Sequence, residues 1–354
     1  MDRGSGLDYR ATGVDLDAAE RTKEGLRALV ASTRDGNTLS ELGAFGGLYA
    51  VPSGAQSPVL VSSADGVGTK LKVAFMSGRH DTVGQDLVNH CVDDILVQGA
   101  RPLFFLDYLA TGAMEELVVN EVVRGMALAC RENGCVLLGG ETAQMPDFYH
   151  PGEYDLAGFI VGLVERDQVL DGSAIRKGDV LIALGSDGLH TNGYTLARKI
   201  VFDVMGLGVD DPFPGENATA AEVLLRVHRS YLPAFDGLLA DGGLRGLAHI
   251  TGGGIPGNLP RILPAGTGAV VEEGSWNVPN LFQVLADAGG VERAEMFRVF
   301  NMGVGMCAVV SADGVPQALR LSREANVRAW VLGEVVEASG SAGSRVALVG
   351  DHVG

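Results

Sequence analysis

Apolar runs of two different periods alternate along this chain, and the strand-like runs end at glycines; few fold classes accommodate that pattern. The run Pro58-Val59-Leu60-Val61-Ser62-Ser63-Ala64 is rich in β-formers and stops at Asp65. From Thr82 to Gln98, Val83, Leu87, Val88, Cys91, Val92, Ile95 and Leu96 recur at helical spacing, and Gly99 closes the helix. Next come a strand over 102–108, a helix over 115–132, a strand over 135–138 that runs into Gly139-Gly140-Glu141, and a strand over 156–164. A helix over 17–30 precedes them all, with Asp17 three residues before Glu20 at capping-box spacing. Strands alternating with helices predict an α/β to α+β fold.

A chain of 354 residues exceeds what one core usually organises, so two domains are expected. The polar stretch from Glu165 to Gly178, with two glycines and several charges, reads as the connection. This places the domains at 1–166 and 167–354. The second opens with a strand over 179–184 and carries helical stretches around 220–239, 281–288 and 315–324.

Composition narrows the function classes. The charge, 27 basic minus 44 acidic side chains or −17, opposes binding to nucleic acid and to acidic membrane surfaces. No apolar run approaches the roughly 20 residues of a membrane span, and the start, Met1-Asp2-Arg3-Gly4-Ser5-Gly6, does not read as a secretory signal. A cytoplasmic protein is expected. Cys91, Cys130, Cys135 and Cys307 lack metal-finger spacing and read as reduced core residues.

The turn Asp65-Gly66-Val67-Gly68-Thr69-Lys70 combines a carboxylate, two glycines that expose backbone N–H groups, a hydroxyl and an ammonium. That set suits magnesium and phosphate together. It is not a Walker A loop, because Thr69 precedes the lysine. A plain β-turn with a solvated lysine is the competing reading. On the helix over 82–98, Asp86 and Asp93 are seven apart and share a face, whereas Asp94 is turned about 100° away; a solvated acidic face is the ordinary alternative. Glu141 stands at an expected strand end, where α/β domains place functional groups.

Gly252-Gly253-Gly254-Ile255-Pro256-Gly257 matches the dinucleotide pattern in form, but Pro256, Pro260 and Pro264 preclude the long helix that pattern must open. An anion-binding loop with Asn258 and Arg261 beside it fits better. His190, in a glycine turn with Asn192 and Tyr194 close by, is a candidate for moving protons, or else a structural histidine. His249 has the same reading with less around it.

Taken together, these segments resemble the phosphoribosylformylglycinamidine cyclo-ligase (aminoimidazole ribonucleotide synthetase) family. The resemblance covers nearly the whole chain. It is carried by residues 13–17, 65–70, the run 93–108 with Phe104-Phe105-Leu106-Asp107-Tyr108, Gly139-Gly140-Glu141-Thr142-Ala143-Gln144-Met145-Pro146, Gly188-Leu189-His190-Thr191-Asn192-Gly193-Tyr194, His249-Ile250-Thr251-Gly252-Gly253-Gly254, and Phe300-Asn301-Met302-Gly303-Val304-Gly305-Met306. Three positions depart from the family pattern: Gln144-Met145-Pro146-Asp147 replaces Glu-Met-Pro-Gly, Asp93 precedes Asp94 in place of asparagine, and Arg27 stands where lysine is usual, with Lys23 one turn away.

The resemblance implies two mixed α/β-type domains, the PurM-like N- and C-terminal domains of this superfamily, in a homodimer that binds ATP and Mg2+. It also implies the reaction. ATP phosphorylates the formyl amide oxygen of formylglycinamidine ribonucleotide, the amidine nitrogen attacks, and phosphate leaves as 5-aminoimidazole ribonucleotide forms, a step of purine synthesis. Under this resemblance Asp65, Asp94 and Glu141 are the metal candidates, with Asp65 and Asp94 also counted as catalytic. Gly66, Gly68, Thr69, Lys70 and Arg27 are expected on ATP and its phosphates. His190 is expected in proton movement or substrate positioning, and Asn192, Gly252, Gly253, Gly254, Asn258 and Arg261 on the substrate. A related ATP-dependent kinase or synthetase, and a silent nucleotide-binding partner, remain as alternatives that share the Asp65 turn.

Overall fold

The computed structural model describes residues 16–41, 46–241, 243–338 and 345–350. The Gly13-Val14-Asp15 end of the first resemblance block lies outside them. The first half contains α1 (Leu16–Ala31), β1 (Pro58–Gly66), α2 (Leu71–Ser77), α3 (Val83–Leu96), β2 (Arg101–Thr111), α4 (Glu116–Glu132), β3 (Val136–Gln144) and β4 (Tyr154–Glu165). Its four strands form one sheet in the order β1-β4-β2-β3, antiparallel except for the β2–β3 pair.

The second half contains β5 (Val180–Gly185), α5 (Tyr194–Arg198), α6 (Ala220–Leu224), α7 (Leu232–Asp241), β6 (Leu244–His249), α8 (Gly254–Asn258), β7 (Thr267–Glu272), α9 (Asn280–Gly289), α10 (Arg293–Val299), β8 (Val304–Val310), α11 (Val315–Glu324), β9 (Ala329–Glu337) and β10 (Val346–Val349). Its sheet runs β10-β7-β9-β5-β8-β6. Two mixed sheets with helices packed on them are the expected α/β to α+β architecture.

α3 packs on the first sheet over β1, β4 and β2, with α4 beside it over β3. Gly84 permits this, because a Cβ there would strike the Val122 carbonyl of α4. The face of α3 turned to the sheet, Leu87, Val88, Cys91, Val92 and Ile95, is fully buried. The opposite face of the first sheet is only half covered. Leu60 on β1 is 64% exposed and Phe159 on β4 46%, and Leu39, Leu48 and Val51 are exposed as well.

Three local expectations are corrected. β1 does not stop before Asp65: Asp65 and Gly66 pair with Gly158 and Ala157, so the carboxylate sits on a strand and the turn begins at Val67. β3 likewise runs on through Glu141 to Gln144, because β2 pairs with it as far as Thr111; Glu141 is therefore within a strand. The helical stretch expected over 220–239 is two helices, since the intervening backbone is drawn onto α3, where Asp86 accepts from His228 N–H and Asp93 from Tyr231 N–H.

Candidate active site

The polar residues of α3 are spaced to share a side: Asp86, Asn89, His90 and Asp93 follow an i, i+3, i+4, i+7 pattern. They are buried against the second half of the chain and do not form a solvated stripe. Asn89 Nδ2 donates to the His228 carbonyl at 2.8 Å, and Asp93 accepts the Tyr231 N–H at 2.9 Å. The α3 face and the segment 225–231 thus close the boundary between the sheets by side-chain hydrogen bonds to backbone, and burial pushes the Asp93 carboxyl's pKa well up.

Lys70 belongs to this boundary. Its Nζ lies 2.8 Å from Asp86 Oδ2, with both side chains fully buried, and donates to the carbonyls of Arg226 at 2.7 Å and His190 at 3.2 Å. Burial pulls the ammonium's pKa down and the carboxyl's up, against their mutual attraction. Lys70, expected on phosphates, is enclosed here by an ion pair to Asp86 and hydrogen bonds to two backbone carbonyls. Gly68 and Thr69 of the same turn remain at the surface, and Gly68 adopts φ +59°. Thr69 Oγ1 is 2.9 Å from Thr195 Oγ1 on α5.

Asp65 and Asp94 come together around His90. His90 Nε2 is 2.8 Å from Asp65 Oδ2 and 3.8 Å from Asp94 Oδ2. Asp94 also accepts from His249 Nδ1 at 2.9 Å and Ser63 Oγ at 3.0 Å, and Asp65 accepts its neighbour's N–H from Gly66 at 2.7 Å. Burial opposes ionisation of both carboxyls, but the bonds and charge from His90 and His249 outweigh it and hold both below the usual range. Burial likewise opposes charge on His90, and the two carboxylates overcome it and raise the imidazole's pKa. Two ionised carboxylates, 41% and 25% exposed, are hard oxygen donors of the type magnesium takes.

His190 lies deeper, 1% exposed, at φ +60°, a backbone conformation unfavourable for a side chain with a Cβ. Its ring stacks on His228 with centroids 4.0 Å apart, and neither of its nitrogens has a hydrogen-bond partner. Burial pushes the pKa of both rings well below the ordinary value, with neighbouring imidazoles adding to it.

The remaining expected residues divide into those near this centre and those away from it. Asn192 faces the glycine loop: a Cβ on Gly252 would lie 3.4 Å from Asn192 Oδ1. Gly253 and Gly254 adopt φ +98° and +59°, and a Cβ on Gly254 would strike the Phe297 carbonyl. Asn258 is buried and holds the loop from within, donating to the carbonyls of Thr251, Gly252 and Gly254. Arg261, exposed, reaches Asn258 Oδ1 at 3.1 Å. Glu141 does not join Asp65 and Asp94 within one chain. It pairs in register with Tyr108 and so shares the half-covered sheet face, whereas Asp65 turns toward α3. Arg27 on α1 pairs with Glu24 at 2.9 Å, both exposed.

Sequence reasoning passed over His90, which lies between Asp65 of β1 and Asp94 of its own helix, His228, whose partners come from α3 and β6, and Asp107. Asp107 lies opposite Gly140 on the α3-facing side of the sheet. Burial, with a contribution from the Glu141 charge, raises its pKa to about 7. A cleft of about 660 Å3 at the end of β5 was also not legible; Ser186, Arg226, Arg229, Leu281 and Arg328 line it.

The AIR synthase related protein, N-terminal domain model matches residues 48–164, and the C-terminal domain model of the same family matches 176–344. The chain belongs to the AIR synthase related family. Among curated members, a phosphoribosylformylglycinamidine cyclo-ligase of Trichlorobacter lovleyi is 50% identical over 342 residues, covering 96% of this chain and 98% of the relative. One from Sorangium cellulosum is 52% identical, covering 93% and 95%. The AIR synthase related fold extends to proteins of low identity. Thiamine-monophosphate kinase from Stenotrophomonas maltophilia superposes with a TM-score of 0.66 at 16% identity, over 93% of this chain and 97% of that one. The hydrogenase maturation protein HypE in complex with ATP gives 0.67 at 19%, over 98% and 93%.

Proposed function

We propose that the protein is an ATP-dependent phosphoribosylformylglycinamidine cyclo-ligase. It closes formylglycinamidine ribonucleotide to 5-aminoimidazole ribonucleotide with release of ADP and phosphate, in purine synthesis. The observation that carries this reading is identity of about half of all residues along nearly the full length of relatives bearing that name. The chemistry of the site supports it. An amide oxygen is a poor leaving group until phosphorylated, and a transferring phosphoryl group needs its charge neutralised where it develops. Asp65 and Asp94 are ionised and within reach of solvent, so they are the residues that would hold Mg2+. When bound, Mg2+ would supply the positive charge that offsets the charge developing on the transferring phosphoryl group. Gly66, Gly68 and Thr69 lie beside them, with the exposed backbone of that turn available to phosphate. His190 and Asn192 sit on the loop that faces the glycines of 252–254, on the side assigned to the substrate. The arginines of the 660 Å3 cleft, Arg226, Arg229 and Arg328, supply positive charge for the ribose phosphate.

The half-covered outer face of the first sheet supports a homodimer. Leu60 and Phe159 leave apolar side chains exposed on it, Leu39, Leu48 and Val51 are exposed as well, and Glu141 shares the face; exposed apolar surface of this kind suits a protein–protein contact. No helix of the described residues is long and apolar enough to cross a membrane, consistent with a cytoplasmic enzyme.

The test is direct. Purified protein with ATP, Mg2+ and formylglycinamidine ribonucleotide should release ADP, phosphate and aminoimidazole in equal amounts. ADP formation without an aminoimidazole would instead indicate a kinase of the same fold.

A further inference from the structure

His90 joins groups that belong to different parts of the chain. Its Nε2 lies 2.8 Å from Asp65 Oδ2 on β1, and its Nδ1 lies 2.7 Å from Thr191 Oγ1, in the loop between β5 and α5 that also carries His190 and Asn192. An ionised Asp65 only accepts, so Nε2 carries a proton; the Thr191 hydroxyl, which donates or accepts, suits either state of Nδ1. From Thr191 the contacts run on through His228, at 3.3 Å, and His249 to Asp94. His90 is buried, its ring packed against those of His228 and His249 with centroids 5.1 and 5.2 Å away. Packing of this kind locks a side chain, as a group that places others requires.

The two carboxylates depend on His90 unequally. Asp94 is also bonded by His249 Nδ1 and Ser63 Oγ. Besides His90, the Asp65 carboxylate is bonded, among the described residues, only by the N–H of Gly66, the next residue in sequence. A partly exposed side chain held by its own neighbour alone can change rotamer, so His90 sets the direction in which Asp65 points. The same ring holds Thr191 on its other side. We propose that His90 is a positioning residue: it fixes the Asp65 carboxylate, and a magnesium-nucleotide held there, relative to the loop of His190 and Asn192. The inference rests on the ring-closing reading, in which the nucleotide and the acceptor amide are held by different halves of the chain. Alignment between the two then limits the rate, since a misplacement of about 1 Å costs on the order of 100-fold.

The test separates the two contacts of the ring in the full-length protein. Asparagine reproduces the Nδ1 position of histidine and glutamine the Nε2 position, so His90→Asn keeps the reach to Thr191 and His90→Gln the reach to Asp65. Binding of a non-hydrolysable ATP analogue with Mg2+, measured by calorimetry, is read beside kcat and KM for ring closure. His90→Asn should weaken analogue binding by about 10-fold or more and lower kcat as well, as expected for a partner behind a ligand. His90→Gln should bind the analogue nearly as the wild type does, yet lose about 10–100-fold in kcat. Thr191→Val should behave as His90→Gln does, Thr191→Ser should recover kcat, and the double variant His90→Gln/Thr191→Val should be no slower than the slower single, because both remove one shared contact. Lower melting temperatures with kcat and analogue affinity unchanged in the folded variants would show a purely structural histidine and overturn the proposal. If the wild type forms no aminoimidazole, the ring-closing reading fails by itself; a loss of analogue affinity confined to His90→Asn still supports the role of His90, and equal affinities in both variants overturn it. Should a His90 variant fail to fold, the Thr191 variants decide.

Discussion

Lys70 Nζ lies 2.8 Å from Asp86 Oδ2, and neither side chain reaches solvent. Both belong to the first half of the chain, yet the ammonium spends its other protons on the carbonyls of His190 and Arg226 in the second. The pair is a fastening of the domain boundary. Lys70→Met should cost about 3–5 kcal/mol, because it strands a buried carboxylate, and the double variant Lys70→Met/Asp86→Leu should be milder than either single change. Urea unfolding of the three variants measures this; a double variant as unstable as the sum of both singles would contradict it.

Asp94 is held ionised by His249 and by its closeness to His90. Asp94→Asn keeps the shape but removes the charge, so turnover should fall by at least about 100-fold while the melting temperature drops only slightly. ADP release and circular dichroism on the same preparation separate the two effects.

Acid should destabilise the protein earlier than its carboxylates alone would require. His190 and His228 have folded pKa values well below 6.5, so as pH falls through 6.5 the unfolded chain takes up protons that the folded one refuses. Stability is then lost with a slope of up to about 2.7 kcal/mol per pH unit. His90 acts in the other direction: its folded pKa is raised, so its contribution is present below 6.5 and is lost as pH rises through the higher folded value. Denaturant midpoints between pH 5.5 and 8 should pass through a maximum, and His228→Gln should flatten the acid limb.

Gly254→Ala should destabilise by more than about 1 kcal/mol, since the position combines φ +59° with a carbonyl where the methyl would go. Gly257→Ala is the control, with no atom within 4 Å of its added methyl. Thermal melts of both variants give the comparison.

The element order was legible because periodicity survives in a single sequence. α3, α4, α9 and α11 lie within two residues of where the apolar spacing puts them. Register was less so. Asp-Gly reads as a turn, yet at Asp65-Gly66 pairing with β4 overrides that preference. The turn residues make Asp65 a candidate by themselves, whereas Asp94 becomes one only through the family resemblance; the structure brings the two together around His90. Glu141 was grouped with them on residue type, and only strand alternation shows that it faces the other way. His228 carried no local signal, and His90 only its i, i+4 spacing to Asp94. A histidine on a helix and one in a loop acquire meaning from Thr191, whose hydroxyl is 2.7 Å from one and 3.3 Å from the other.

The single face of α3 that carries Asp86, Asn89, His90 and Asp93 makes this chain a poor candidate for modular inheritance. Its two carboxyl groups are matched to individual N–H groups of residues 225–231, so a second half borrowed from a distant relative would have to bring that loop in the same path or leave both acids stranded. Fragments split at the connection between the sheets are therefore expected to be insoluble apart and to recover activity when co-expressed, the two halves of one lock.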